Sequence, residues 1–263
     1  MFNFCSLYSG SNGNSLFVET DKTKILIDAG ESAKKISTAL SLYGADINDI
    51  DAMLITHEHS DHVKSLGTIV KKYNIPVYAN EKTWNAMPQQ KEKIPVELQN
   101  SFKNDAFFEL HDLSIYPFSI PHDAADPCGF NIYYDNKKIT VATDIGHITD
   151  TIFKNIENSS FALLESNYDL NALQCSKYPF SLKRRISGPN GHLSNTDSGK
   201  LISKLISSGL TSVMLGHLSK ENNFPELAYK TVVEELINNN YDENSITIQV
   251  AKRDSPSKLI HIA

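Results

Sequence analysis

The sequence predicts an α/β fold made of two sheets with flanking helices, and two observations lead to this prediction. Short apolar runs of strand length alternate with segments of helical spacing in both halves of the chain. Histidine and aspartate follow the ends of several of these strands in each half, and α/β folds bind their ligands beyond the carboxyl ends of strands. No low-complexity linker interrupts the pattern, so we predict a single domain over residues 1–263.

The composition limits the class of protein. The chain has 263 residues, of which 40% are hydrophobic, enough for one large core or two small ones. The formal net charge is −6, so no overall positive field indicates a nucleic-acid partner. Three cysteines without a CxxC pair are typical of a reducing compartment. The first residues do not match a signal peptide and no segment matches a membrane span, so we expect a cytoplasmic protein without a membrane partner.

Three strands and a helix are predicted at the start of the chain, at Asn3–Tyr8, Ser15–Glu19, Lys24–Asp28 and Glu31–Tyr43. The first two strands are joined by a loop of small residues, Ser9-Gly10-Ser11-Asn12-Gly13-Asn14. This loop is either a hairpin turn or a nest of N–H groups and hydroxyls that binds a phosphate. Asp28 either caps the helix that follows or supports a metal ligand from behind.

The densest cluster of metal-binding residue types follows a short apolar run at Asp51–Ile55. It is the segment Thr56-His57-Glu58-His59-Ser60-Asp61-His62. The apolar run predicts a buried strand, and the spacing from Val63 to Tyr73 predicts a helix, so the cluster lies on the loop between them. Side chains alternate along an extended loop, so His57 and His59 point the same way. Asp61 and His62 turn into the helix and can face a second metal ion. Imidazole and carboxylate suit zinc, manganese or iron.

The middle of the chain continues with a strand at Val77–Ala79, a helix at Glu81–Met87 and an exposed connector from Pro88 to Pro95. Alternating apolar residues from Val96 to Tyr134, beginning with Phe107, predict antiparallel strands. His122 lies at the end of one of these strands. Together with the histidine loop, this position predicts that His122 is a metal ligand.

Strands of the second half are predicted at Lys138–Thr143, Phe161–Leu164, Thr211–Leu215, Ile246–Ala251 and Leu259–Ile262, the last two at sheet edges. Asp144 and His217 follow two of these strands, and Asp144 could bridge two cations. His192 precedes a helix that begins near Ser194 or Asn195 and runs through Ile206, and a second helix is predicted at Pro225–Asn239. The remaining three histidines lack such placement and are predicted to be ordinary surface residues: His111, His147 and His261.

These residues together resemble the metallo-β-lactamase superfamily along the whole chain: His57-x-His59-x-Asp61-His62, His122, Asp144 and His217. The resemblance implies an αβ/βα four-layer sandwich with two divalent metal ions per chain, zinc or manganese, with iron as a third option. It assigns the first ion to His57, His59 and His122. It assigns the second ion to Asp61, His62 and His217, with Asp144 as the bridge. Asp144 in place of cysteine argues against a lactam substrate, and His59 resembles hydrolytic rather than diiron members.

Further motifs resemble the YycJ/WalJ-type branch of bacterial DNA exonucleases. They are Ser9-Gly10-Ser11-x-Gly13-Asn14-Ser15, Leu164-Glu165-Ser166-Asn167, Gly191-His192-Leu193-Ser194-Asn195 and Leu215-Gly216-His217-Leu218-Ser219-x-Glu221-Asn222-Asn223. Tyr168 departs from the histidine expected at its position in this branch. The resemblance implies a dinuclear-metal phosphodiesterase, a 5′-to-3′ DNA exonuclease that attacks phosphorus with a metal-bridging hydroxide. Its substrate would be the 5′ end of duplex or single-stranded DNA.

Catalytic and substrate-binding roles follow from this resemblance. Asp61 would act in catalysis as a metal ligand. His192 would be a general acid or a phosphate anchor, because helix N-termini favour phosphate; alternatively, it only hydrogen-bonds within its loop. Substrate contacts are expected from Ser11, Asn14, Lys183, Arg184 and Arg185, of which the last three could instead form a solvated helix face. Two other functions remain open: a metal-dependent hydrolase of a small thioester or lactone, and a non-catalytic metal-binding signalling partner.

Overall fold

The structure is a computed structural model that describes residues 1–262 and divides into two compact units. Unit 1 comprises Met1–Pro117, Ala124–Cys128 and the described residues from Lys252 onward. Unit 2 comprises Phe118–Asp123 and Gly129–Ala251. The prediction that the whole chain is a single domain stays a prediction.

Fourteen strands and ten helices are assigned among the described residues. The strands are β1 Phe2–Tyr8, β2 Ser15–Thr20, β3 Lys24–Ile27, β4 Ala52–Leu54, β5 Val77–Asn80, β6 Gln99–Phe102, β7 Phe108–Leu110, β8 Leu113–Ser119, β9 Cys128–Tyr134, β10 Lys137–Ala142, β11 Phe161–Glu165, β12 Ser212–Gly216, β13 Thr247–Val250 and β14 Ile260–His261. The helices are α1 Ala33–Ser41, α2 Ser60–Val63, α3 Leu66–Tyr73, α4 Glu81–Ala86, α5 Pro88–Lys91, α6 Asp150–Ile156, α7 Leu170–Cys175, α8 Phe180–Ile186, α9 Asn195–Ile206 and α10 Pro225–Asn238, with 3-10 turns at Ile47–Asp49 and Val96–Leu98.

Unit 1 is built on a mixed sheet with the strand order β14-β1-β2-β3-β4-β5-β6. Strands β14 to β3 pair antiparallel, and β3 to β6 pair parallel, because helices connect the later strands. Helix α1 begins at the Ser32 cap, whose side chain accepts from the Lys35 N–H, and buries Ile36 and Leu40 at helical spacing. Strand β7 and the part of β8 up to Pro117 also belong to this unit and form a hairpin.

Unit 2 contains five strands in the order β13-β12-β11-β10-β9. The pairs from β10 to β13 are parallel, and β9 pairs antiparallel with β10. Helices α9 and α10 pack at close range at Gly199, where an added Cβ would lie 2.6 Å from Cβ of Glu235. A larger residue at this position would therefore force the two helices apart.

The carboxyl ends of three strands carry polar residues with left-handed backbone conformation. They are Asp28 after β3 (φ 63°), Asp144 after β10 (φ 60°) and His217 after β12 (φ 56°). Such conformations cost about 1 kcal/mol or more for residues with a Cβ, and they persist only where the surroundings hold them. All three side chains are buried, so the surrounding chain holds each residue in this conformation.

Most predicted strands and helices are confirmed to within a few residues, including β13 and β14 at sheet edges. Three details of the prediction were wrong. The predicted helix from Val63 to Tyr73 is split into α2 and α3, because the chain turns at Lys64 and Ser65. The segment from Pro88 to Pro95, predicted as an exposed connector, contains α5 and buries Ile94. Phe107, predicted as the first apolar residue of the antiparallel strands, precedes β7 and is 61% exposed.

The three histidines predicted at the surface, His111, His147 and His261, are exposed as expected. Within residues 1–262, none of the helices combines the length and the apolar character needed to cross a membrane.

Candidate metal centre

The histidine loop in unit 1 begins where β4 ends and leads into α2. His57 and His62 are buried, and their ring centroids lie 4.1 Å apart. The ring of His59 lies 4.6 Å from that of His57 in an edge-on arrangement. Asp61 places a carboxylate oxygen 3.5 Å from Nε2 of His62. The four predicted ligands of this loop therefore lie together within unit 1.

A buried carboxylate behind the loop fixes its geometry. Asp28 accepts hydrogen bonds from the backbone N–H and the hydroxyl of Thr56, each at 2.9 Å. The same carboxylate lies 2.7 Å from Nδ1 of His62. Helix α1 has Ser32 as its cap. Asp28 therefore contacts His62, one of the predicted ligands, and does not cap α1.

The loop between β1 and β2 packs on the histidine loop through Asn14. The Asn14 side chain is buried; its Oδ1 accepts from the Gly10 N–H at 2.9 Å, and its Nδ2 lies 3.1 Å from Nε2 of His62 and 3.3 Å from a carboxylate oxygen of Asp61. Gly30 lies so close to this contact that an added Cβ would come within 1.6 Å of the Asp61 carbonyl oxygen. The segment is a turn that packs on the histidine loop through Asn14, and Ser11 at its tip is exposed.

In unit 2, three histidines surround Asp144. Its Oδ1 lies 3.6 Å from Nε2 of His122, 3.6 Å from Nδ1 of His192 and 3.4 Å from Nδ1 of His217. The side chains of His122, Asp144 and His217 are almost completely buried, whereas that of His192 is 20% exposed. Burial lowers the pKa of His122 and so favours the neutral imidazole, the form that binds metal.

Glu165, at the end of β11, has no role in the sequence-based prediction but is central to the second unit. One carboxylate oxygen lies 2.8 Å from Nδ1 of His192 and 2.7 Å from Nδ1 of His217. The other accepts from the N–H groups of Ile145 and Leu193, at 2.8 and 3.1 Å. Burial raises the pKa of Glu165, but its bonds to the two histidines outweigh burial and hold the pKa well below its usual value. The only sequence signal was its position at a strand end, within the motif Leu164-Glu165-Ser166-Asn167.

His192 lies just before α9, which Ser194 caps by accepting from the Asp197 N–H. Burial lowers the pKa of His192, but the charge and hydrogen bond of Glu165 outweigh burial and raise it. The cap agrees with the predicted start of the helix. A bond to Glu165 through Nδ1 leaves Nε2 as the nitrogen that can meet a substrate or an ion.

The predicted basic cluster forms the last turn of α8. Arg185 donates from Nε to a carboxylate oxygen of Asp123 at 2.6 Å, and Lys183 donates from Nζ to the Gln174 carbonyl oxygen at 2.6 Å. Arg184 is exposed. The ion pair therefore ties the cluster to Asp123, the residue that follows His122 in the chain.

The orientation of four histidine rings fits the binding of divalent metal ions. In His57, His62, His122 and His217, the Nδ1 atom lies within 3.0 Å of an oxygen, namely those of Thr56, Asp28, Gly191 and Glu165 respectively. An oxygen partner at Nδ1 sets the tautomer and the orientation of the ring, and leaves Nε2 to bind a metal ion. Each unit therefore presents oriented imidazole nitrogens together with an aspartate.

The comparisons with known proteins agree with the fold and with this donor set. The chain belongs to the beta-lactamase superfamily, whose domain model matches residues 23–209, and the predicted metallo-β-lactamase fold is thereby confirmed. Among curated relatives, exodeoxyribonuclease WalJ of Streptococcus pneumoniae is 40% identical over 237 residues, covering 89% of this chain and 88% of the relative. Exodeoxyribonuclease YycJ of Bacillus anthracis is 39% identical, covering 89% and 88%. The solved structure of Zn²⁺-bound PqqB from Methylobacterium extorquens shares the fold, with a TM-score of 0.72, 15% identity and coverage of 98% of this chain and 100% of that one.

Proposed function

We propose that this chain is a metal-dependent exodeoxyribonuclease that removes nucleotides from the 5′ ends of DNA. The observation that carries the proposal is the 40% identity to WalJ over 89% of the chain. The donor set supports it, because oriented histidines and aspartates are what a phosphodiesterase of this superfamily needs to hold its ions. A phosphodiester substrate is favoured over a small thioester or lactone by the same likeness.

The proposed metal ligands are the seven residues expected from the resemblance. His57, His59 and His122 would hold one divalent ion, Asp61, His62 and His217 would hold the other, and Asp144 would serve both. When bound, such ions supply Lewis-acid activation of water and neutralise charge on the phosphoryl oxygens. We propose zinc or manganese, because imidazole and carboxylate ligands suit both.

Other residues of the chain orient the ligands and contact the substrate. Asp28 and Glu165 hold histidine rings in the orientation that presents Nε2. His192, whose pKa Glu165 raises, holds a proton that its Nε2 can give to the leaving oxygen, or anchors the phosphate. Asp61 would act in catalysis as a metal ligand.

The test is the release of nucleotides from DNA with a label at one end. A duplex and a single strand, each with a 5′-phosphate, are incubated with metal-loaded protein, and products are followed over time. We expect mononucleotides to appear from the 5′ end, with Mn²⁺ stimulating and EDTA abolishing release. Activity should fall steeply with salt, because phosphate contacts release counterions. Turnover of thioesters without any release of nucleotides would contradict the proposal.

The number of metal ions is tested separately by elemental analysis of protein saturated with metal. We expect about two ions per chain, and Asp144→Ala should lower the occupancy of both sites together. His111→Ala is the matched control, because this exposed histidine lies outside the proposed ligands. A stoichiometry that saturates at one ion would overturn the paired site.

A cytoplasmic location and a single functional domain are further parts of the proposal. Cys5, Cys128 and Cys175 are free thiols in the structure, which suits a reducing compartment. The family model spans residues from both units, which supports their acting as one domain.

A further inference from the structure

Helix α8 carries a large aromatic side chain that the fold leaves in solvent. Phe180, its first residue, is 80% exposed, and no residue of this helix is fully buried. Scattered apolar residues are common on protein surfaces, but here basic residues accompany the aromatic ring. Lys177 and Arg184 are both exposed, and among residues 1–262 the side chain of neither forms a hydrogen bond or an ion pair. Arg184 is four residues beyond Phe180, so the two side chains lie on the same face of the helix.

The other end of α8 contacts His192 and Asp123, the residue after the proposed metal ligand His122. The carbonyl oxygen of Ile186 accepts from the His192 N–H at 2.9 Å. The Gly191 carbonyl oxygen lies 3.0 Å from Nδ1 of His122, and Arg185 is paired with Asp123. The C-terminal end of α8 therefore borders His122 and His192. At a rise of about 1.5 Å per residue, Phe180 lies about 8 Å further along the helix than Arg185.

We infer that Phe180 and Arg184 form a binding subsite for single-stranded DNA, in which a base stacks on the Phe180 ring and a phosphate pairs with Arg184. This inference rests on the proposed function and names a contact of the substrate beyond the reacting phosphate. Proteins that hold single strands combine aromatic platforms with cations along the backbone, and every base offers a face for stacking. The charge of α8 complements a phosphodiester chain, since the helix has basic residues in its last turn and no acidic residue in its first.

Binding is tested with metal-loaded protein and a phosphorothioate oligonucleotide that resists hydrolysis. Phe180→Ala should weaken binding of the single strand about tenfold, in line with the loss of one stacked base. On an abasic strand with the same backbone, wild type and Phe180→Ala should bind equally, because no base is present to stack. Phe107→Ala is the control: this phenylalanine is 61% exposed and belongs to unit 1.

A tryptophan at position 180 gives a direct signal of stacking. The chain has one tryptophan, Trp84, which is 2% exposed, so the change in emission of Phe180→Trp on adding DNA reports mainly on position 180. We expect quenching by the normal strand and little quenching by the abasic strand. Equal quenching by the two strands would overturn base stacking at α8.

Two further measurements distinguish base stacking at Phe180 from damage to the metal site and from self-association of the chain. Hydrolysis of bis(p-nitrophenyl) phosphate should be the same in wild type and Phe180→Ala, which shows an intact metal site. If wild type binds and degrades DNA but Phe180→Ala does so equally well, this subsite is refuted and the proposed function stands. If wild type does neither, both fail. Light scattering tests the rival occupant: a dimer that Phe180→Ala converts to a monomer, with DNA affinity unchanged, would assign the ring to contact between copies of the chain.

Discussion

In each of the two units, one buried carboxylate orients histidine rings, but the two carboxylates differ in how many rings they hold. In unit 1, the Asp28 carboxylate holds one histidine, the proposed ligand His62, and the backbone of the loop that carries it. In unit 2, the Glu165 carboxylate holds two histidines, His192 and His217, and two backbone N–H groups. The comparison shows that one carboxylate suffices for a single ring of the histidine loop, whereas two histidines from separate segments of unit 2 share one acceptor that joins them.

The largest effect is expected from Glu165→Gln. The four donors around Glu165 need a carboxylate, and a glutamine would point its NH₂ group at two of them. We expect a loss of about 3–5 kcal/mol in the free energy of unfolding, typical of breaking a buried pair, together with loss of metal and of activity. Chemical denaturation and elemental analysis measure both. A variant as stable as wild type would refute the joint role of Glu165.

His192→Ala tests the histidine of unit 2 that has no counterpart in unit 1. Asp28 supports a proposed metal ligand only, whereas Glu165 also supports His192, which we assign to proton transfer or phosphate binding. We expect full metal content, unchanged folding and a loss of roughly 10²-fold or more in kcat. His147→Ala, an exposed histidine of the same unit, is the control and should retain activity.

Two outcomes would contradict this assignment of His192. A protein that lacks one ion would make His192 a ligand. A protein with both ions and a near-normal rate would leave His192 as a residue that only hydrogen-bonds within its loop.

The contrast between the units also explains what the sequence could predict. The sequence alone predicts the histidine loop, because its proposed ligands lie within seven residues of one another, and strand ends indicate Asp144 and His217. It does not predict the role of Glu165, because that role comes from four donors that lie up to 52 positions away from Glu165, which no local pattern records. The choice between two roles for Asp28 likewise needed three dimensions, since Thr56 is 28 residues away.

Asp28→Asn tests how the Asp28 carboxylate orients the His62 ring in unit 1. An asparagine keeps the acceptor for the Thr56 N–H but can place an NH₂ group opposite Nδ1 of His62. The ring would then favour the tautomer with its proton on Nε2, which cannot bind metal. We expect metal affinity to fall about 10- to 100-fold, the usual cost of losing such a partner, with a smaller loss of stability than in Glu165→Gln. Metal titration against a chelating dye measures this.

Asp28→Asn should lower the affinity for one ion, because His62 is the proposed ligand that Asp28 contacts. Glu165→Gln should affect both metal binding through His217 and the proposed role of His192. Equal loss of both ions in Asp28→Asn would remove the difference between the units.

The smallest effects are expected in the turn between β1 and β2, and they decide between its two proposed roles. Asn14 is buried against Asp61 and His62, whereas Ser11 is exposed at the tip. If the turn mainly supports the histidine loop, Asn14→Ala should cost about 1–3 kcal/mol of stability, because the Gly10 N–H loses its buried acceptor. Ser11→Ala should then change neither stability nor KM for DNA by more than about twofold, as expected for an exposed substitution within ±0.5 kcal/mol. A tenfold rise in KM in Ser11→Ala, with stability and metal content unchanged, would instead establish the loop as a phosphate-binding site and give unit 1 a substrate contact of its own.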